Sequence, residues 1–147
     1  MSKTPYSFVL DCSIAMAWCF NDESTEYTDL ILENFKNTTA VVPTIWPLEV
    51  ANVLLLSKKK KRITEVQSAN FIDALSSLPI LVDASTSTKA MHSIFVVAHQ
   101  SDLTIYDAAY LELAIREEIP LLTLDTKLAQ AAKQYQVQVN PKSKKYN

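Results

Sequence analysis

Glycine is absent from all 147 residues, and that gap alone removes whole classes of function. P-loop and dinucleotide-type phosphate loops bring backbone N–H groups against phosphate, which needs residues without a Cβ. Such loops are excluded, as are hinges or lids built on glycine. Helix ends must be closed by other residues, with Asn140 and Pro141 the expected stop signals late in the chain. Cysteine is scarce. Cys12 and Cys19 are too few for a disulfide framework and form no C-x-x-C pair, so both read as reduced core thiols of a cytoplasmic protein. His92 and His99 lack a third ligand at fitting spacing, which argues against zinc. No serine elbow motif is present for hydrolysis through serine. No apolar run approaches membrane-spanning length, and the polar start Met-Ser-Lys-Thr-Pro does not read as a signal peptide. A net charge of -2 gives no overall pull toward polyanions, so nucleic acid would need a local basic patch.

What remains is 48% hydrophobic, enough for a full core in one domain spanning 1–147. Short β-rich runs alternate with longer helical stretches, which predicts βα units and a parallel sheet. Strands are expected at Ser7–Leu10, Ala40–Val42 (ended by Pro43), Ile80–Val82, Pro120–Leu124 and Val137–Val139. Helices are expected around Ile14–Phe20, from an Asp22 or Ser24 cap to about Phe35, and from Ile45 to about Lys60 behind a Thr44 cap. Further helices run from Thr64 to about Ser77, over roughly Ser87–His99, from Thr104 to about Glu117, and over Thr126–Tyr135. The fold class is a three-layer α/β/α sandwich with a central, mostly parallel sheet.

Asp11, Glu49, Asp107 and Asp125 each sit in an apolar neighbourhood: Phe-Val-Leu-Asp11, Trp-Pro-Leu-Glu49-Val-Ala, Thr-Ile-Tyr-Asp107-Ala-Ala and Leu-Leu-Thr-Leu-Asp125. A carboxylate in such surroundings is costly unless paired or neutralised, and the chain offers no comparable set of buried cations. Hard oxygen ligands suit Mg2+ or Mn2+. Ligands of open parallel sheets gather beyond the carboxyl ends of the strands, where Asp11 and Asp125 fall. Asp107 lies in a first helical turn, and Glu49 shares a helix face with Asn52. Convergence would make these carboxylates raise one another's pKa, a penalty that divalent ions remove. Ser13, Asn52 and Thr123 are candidates to hold ligands or metal-bound waters from behind. Each acid also has a plain structural reading. Asp107 with Thr104 resembles a capping box, Asp125 a helix N-cap, Asp11 a turn residue, and Glu49 part of a solvated face.

The dense basic run Lys58, Lys59, Lys60, Lys61 and Arg62 is a candidate for RNA phosphate contact, or a solvated helix end complementing the dipole. Lys142, Lys144 and Lys145 form a looser second group. Trp18, Phe20 and Trp46 read first as core or dimer packing and second as a peptide groove.

The same four positions with their flanks resemble the PIN-domain ribonucleases, most closely the toxins of VapBC-type toxin–antitoxin pairs. The similarity rests on Phe8-Val-Leu-Asp11-Cys-Ser13-Ile-Ala-Met-Ala-Trp18, Pro47-Leu-Glu49-Val-Ala-Asn52-Val-Leu, Leu103-Thr-Ile-Tyr-Asp107-Ala-Ala-Tyr110-Leu-Glu-Leu-Ala114, and Pro120-Leu-Leu-Thr123-Leu-Asp125-Thr-Lys127-Leu. These segments keep the family order and span nearly the whole chain. The resemblance implies that Asp11, Glu49, Asp107 and Asp125 are catalytic metal ligands of a Mg2+- or Mn2+-dependent endoribonuclease. Such an enzyme would cut tRNA or ribosomal RNA with metal-activated water. It also implies a homodimer neutralised by a small antitoxin. The chain departs from the family at Arg116-Glu-Glu-Ile119-Pro, where glycine is usual, which is expected to alter a helix end and leave the acids intact. The competing readings are a non-catalytic RNA-binding or assembly module of the same fold and a signalling receiver domain. The receiver is disfavoured because Asp11 is followed by Cys12 and Ser13, and Lys127 falls inside a helix.

Overall fold

The computed structural model describes residues 4–142. Four strands, β1 (Phe8–Leu10), β2 (Ala40–Pro43), β3 (Ile80–Asp83) and β4 (Leu121–Leu122), form one parallel sheet in the order β3-β2-β1-β4. The helices are α1 (Cys12–Cys19), α2 (Glu26–Glu33), α3 (Ile45–Lys59), α4 (Glu65–Ser76), α5 (Thr86–Lys89), α6 (Ser93–Ser101), α7 (Ile105–Glu117) and α8 (Thr126–Gln134). They cover both faces, giving the three-layer α/β/α sandwich. α7 lies on β1 and β2 with α6 and α8 against it, while α3 packs on β2 and joins α1 and α4. β1 and β2 are buried along their whole length, as continuous apolar strands covered on both faces must be. Chain order runs β1 to β3 on one side of β1 and reaches β4 on the other. The switch in strand order therefore falls between β1 and β4, where the carboxyl ends open a crevice.

Two of the long helices start where side chains satisfy their free N–H groups. Thr64 and Gln67 form a reciprocal capping box on α4, and the Thr104 hydroxyl accepts from the Asp107 N–H at the start of α7. Several expectations shift. The cap of α2 is Thr25, in a box with Thr28, and Asp22 instead sits in a 3-10 turn. Thr44 does not cap α3 with its side chain; its hydroxyl donates to the Asp83 carbonyl, tying β3 to the start of α3. The helix expected over Ser87–His99 is two, α5 and α6, separated by His92 at φ -125°, ψ -106°. The strand expected over Pro120–Leu124 stops at Leu122, because Thr123 exchanges both backbone bonds with the Asn140 side chain rather than with another strand. Val139 makes one bridge to Leu121 and no longer strand.

Without glycine, other residues adopt the left-handed backbone at helix ends. Lys61 (φ 61°), Asp102 (φ 54°), Glu118 (φ 57°) and Gln136 (φ 63°) follow α3, α6, α7 and α8. Each carries a steric cost on the order of 1 kcal/mol that glycine would avoid.

Candidate functional site

Asp11 stands at the carboxyl end of β1 and is only 7% exposed. Its Oδ2 accepts from the Ser13 hydroxyl at 2.6 Å and from the buried Thr123 hydroxyl at 2.7 Å. The same two hydroxyls reach the opposite wall of the crevice. Ser13 Oγ accepts from the Leu124 N–H at 2.9 Å, and Thr123 Oγ1 from the Asp125 N–H at 3.0 Å. The segment after β4 is thereby clamped onto the end of β1. Asp125, exposed at the N-cap of α8, accepts from the Leu128 N–H through Oδ1.

Glu49, just past the first turn of α3, and Asp107, in the first turn of α7, are both half-buried. The two helices are joined through Tyr110, whose hydroxyl donates to Glu49 Oε1. Tyr110 is fully enclosed, and it was missed as a site residue because a tyrosine among alanines and leucines reads as core. Its position one turn beyond Asp107 on the same helix face was the available signal. Asn52 is exposed one turn beyond Glu49, and no hydrogen bond joins it to the acids among the described residues.

The electrostatics tie the four acids together. Burial raises the pKa of Asp11; the Ser13 and Thr123 hydroxyls and the Cys12 N–H pull it back, and the Asp125 charge adds to the rise. Glu49 is raised by burial, eased by the Tyr110 bond, and raised again by Asp11 and Asp107. Asp107 is raised by burial and by the charges of Asp125 and Asp11, with Thr104 and Lys127 working against them. Burial, then Glu49 and Asp11, push the Cys12 thiol up to about 12, so it stays protonated and inert. Tyr110 is raised in the same way, first by burial and then by the Asp11 and Glu49 charges, which keeps its hydroxyl a donor.

None of the four acids forms an ion pair among the described residues; the seven ion pairs there involve other carboxylates. An uncompensated, all-oxygen donor set of mutually repelling acids fits a hard divalent cation by its chemistry. The side chains are nevertheless not drawn into a closed cage. Among the described residues no three acidic, histidine or cysteine side chains stand close enough to grip one ion.

The basic run lies elsewhere. From Glu49 to Lys58–Lys61 is nine to twelve residues of α3 and its exit, roughly 14–18 Å at helical rise. Arg62 is not free: its Nη2 holds Asp22 and Glu23 at 2.8 Å each, and the guanidinium lies 3.7 Å over the Phe20 ring. Lys58 approaches Glu65 at 3.5 Å, while Lys59, Lys60 and Lys61 are exposed. Lys142 is exposed, and Lys144 and Lys145 lie outside the described residues. A partly buried network, in which Arg116 holds Asp83 at 2.9 Å and Glu112 at 3.1 Å, ties α7 to the end of β3; it was not expected from the sequence.

The family model described as PIN domain matches residues 8–134. The chain is similar to Ribonuclease VapC3 of Pyrobaculum aerophilum, 30% identical over 82 residues, which are 56% of this chain and 63% of that protein, so the match spans less than two thirds of the relative. Among solved structures it resembles PAE2754 from Pyrobaculum aerophilum, with TM-score 0.67 and 20% identity over 92% of this chain and 83% of that one. It also resembles VapBC2 from Rickettsia felis bound to a DNA fragment from their promoter, with TM-score 0.61 and 23% identity over 90% and 96% of the two chains. FitAcB from Neisseria gonorrhoeae aligns with TM-score 0.61 and 15% identity over 90% and 95%. At these identities the structures speak to the fold.

Proposed function

This chain belongs to the PIN-domain family, and from that premise we propose that it is a Mg2+- or Mn2+-dependent endoribonuclease, the toxin of a type II toxin–antitoxin pair. The observation that carries the reading is the gathering of Asp11, Glu49, Asp107 and Asp125 from four separate elements around the β1–β4 crevice. Burial raises Asp11, Glu49 and Asp107, the charges of neighbouring members of the set add to each rise, and no cation forms an ion pair with the four among the described residues. The similarity to Ribonuclease VapC3 supports the choice of RNA as substrate.

Asp11, Glu49, Asp107 and Asp125 would hold the ion or ions. Bound there, a divalent cation supplies Lewis-acid charge for the phosphoryl oxygens and lowers the pKa of a coordinated water. The chain's own residues do the positioning. Ser13 and Thr123 aim the Asp11 carboxylate and lock the Asp125 segment beside it. Tyr110 aims Glu49. The first turns of α3 and α7 point their positive ends at the site, where they favour an incoming phosphate. The open spacing of the acids would suit a non-catalytic module, yet such a module has no need of four carboxylates that repel one another.

The substrate class is tRNA or ribosomal RNA, the setting cytoplasmic, and the neutralising partner a small antitoxin. A homodimer is supported by the exposed apolar side chains Met91, Phe95 and Val96 on and beside α6, with Met91 83% exposed. No helix among the described residues is long and apolar enough to cross a membrane. Incubation of the purified protein with total RNA, with and without Mg2+, tests the activity. Metal-dependent cutting that is lost in Asp107→Asn is expected. Intact RNA beside a working control nuclease would remove the enzyme reading.

A further inference from the structure

An apolar groove of about 260 Å3 opens between the N-terminal ends of α3 and α7, the ends nearest Glu49 and Asp107. Ile45, Leu48, Ile105 and Tyr106 line it, with Ala90 and Ile94 closing the floor. Two lining threonines offer no free hydroxyl. Thr44 Oγ1 donates to the Asp83 carbonyl, and Thr86 Oγ1 donates to the same carbonyl while accepting the Thr44 N–H. Their methyl groups are left for the wall. At the rim, Leu48 is 70% and Tyr106 60% exposed, large costs for side chains that nothing in the domain covers.

Charge decides what fills this groove. With divalent ions held by the carboxylates as proposed above, phosphate belongs at the acids, whereas the groove itself is lined by no charged residue. The dense basic run sits at the far end of α3, and Arg62 is committed to Asp22 and Glu23. The groove therefore offers contact to an uncharged part of the nucleotide and not to its phosphates. Glu49 lies one turn from Ile45 and next to Leu48, and Asp107 lies next to Tyr106. A nucleotide with its phosphate at the acids thus has its base within reach of the groove. Resting on the nuclease reading above, we infer that the groove receives one unstacked nucleobase flanking the scissile phosphate, with Tyr106 as its stacking platform. Because the groove is lined chiefly by apolar side chains, the base is held by its face more than it is read by its edge. The site requires a base there and tolerates any of them.

The test uses a single-stranded oligoribonucleotide that the wild-type protein cuts at one mapped bond. An abasic ribose at one of the two nucleotides flanking that bond lowers kcat/KM by about 5- to 150-fold, the range of base–aromatic stacking. Exchanging the base there changes kcat/KM less than the abasic replacement does. Tyr106→Ala, at an exposed position and checked for an unchanged melting temperature, causes a similar loss on the intact strand and no further loss on the abasic one. Tyr106→Phe, which keeps the ring, recovers what alanine loses. In stopped flow, 2-aminopurine at the same position is quenched on binding wild type and not on binding Tyr106→Ala. Equal cutting of abasic and intact strands, or losses that multiply between abasic strand and Tyr106→Ala, would overturn the inference. So would Leu48→Asp that leaves RNA cutting unchanged while abolishing association with a protein partner, which would make the groove a protein-docking face. A wild-type protein that cuts no RNA at all refutes the nuclease reading itself, and the groove assignment with it.

Discussion

Replacing Tyr110 by phenylalanine separates what the hydroxyl does for Glu49 from what the ring does for the core. The ring is 0% exposed, and phenylalanine preserves its volume, so the packing of α7 on the sheet survives. What leaves is one O–H donor whose partner is the Glu49 carboxylate. A hydrogen bond to a charged group contributes about 1.5–3 kcal/mol, and water replaces part of it at half-buried Glu49, leaving a net cost to the fold of ~1 kcal/mol. That cost lowers the melting temperature by roughly 2–4 °C. The larger effect falls on the carboxylate. Burial raises the Glu49 pKa and the Tyr110 bond restrains it, so removing the bond moves it higher. A cation competes with the proton for that oxygen. Tyr110→Phe therefore binds Mn2+ about 10- to 100-fold more weakly near neutral pH, the usual loss when a ligand's orienting partner is removed. Its binding curve also moves to higher pH. Calorimetric titration at three pH values spanning neutrality reads both effects. Equal or tighter Mn2+ binding by the variant throughout would refute the positioning role.

Other perturbations reach different parts of the account. Asp11→Asn stabilises the metal-free protein at neutral pH. The folded pKa of Asp11 is raised, so its favourable contribution is present below the unfolded carboxylate value and lost as pH rises through the folded one. Melting in EDTA should show the variant above wild type, with the gap narrowing as pH falls toward about 3.9. Arg116→Met strands Asp83 and Glu112, whose side chains are 17% and 7% exposed. The expected loss is about 3 kcal/mol, or roughly 6–12 °C in melting temperature; a shift under 2 °C would show the network to be idle. Burial acts to raise the Asp83 pKa, but the bonds to Arg116 and Ser85 outweigh it and leave the carboxyl below its ordinary value, so this network weakens only in acid. Glu118→Gly, at an exposed left-handed position, adds about 1 kcal/mol of stability; an unchanged or lower melting temperature would argue against backbone strain there.

Much of this arrangement was legible before any coordinates, and the exceptions have physical reasons. The starts of α3, α4, α7 and α8 were readable because threonine or aspartate precedes each apolar-periodic run, and their ends fall within a residue or so of expectation. The break between α5 and α6 was not, since neither glycine nor proline marks it and the backbone leaves helical geometry at His92. The shortness of β4 was hidden for a similar reason: Asn140, a residue far along the chain, replaces the strand partner of Thr123 with its side chain. Carboxylates in apolar flanks stand out in a sequence because their burial is costly; Asp11 is buried and Glu49 and Asp107 are half-buried, whereas Asp125 is exposed. Tyr110 and the Arg116 network were silent because their partners, Glu49 and Asp83, lie 61 and 33 residues away. The turn after α7, where the missing glycine was expected to alter the helix end, closes in the left-handed form all the same. Glu118 takes the left-handed conformation that glycine would otherwise take, and the acids are untouched.

The central claim is that Asp11, Glu49, Asp107 and Asp125 serve one cation site, and Mn2+ titration of the wild type beside the four single amide variants tests it most directly. The account predicts saturable binding to the wild type and a loss of affinity in every variant, largest for Asp11→Asn, with folding unchanged by circular dichroism. No binding to the wild type, or binding that survives replacement of any two of the aspartates together, would contradict it.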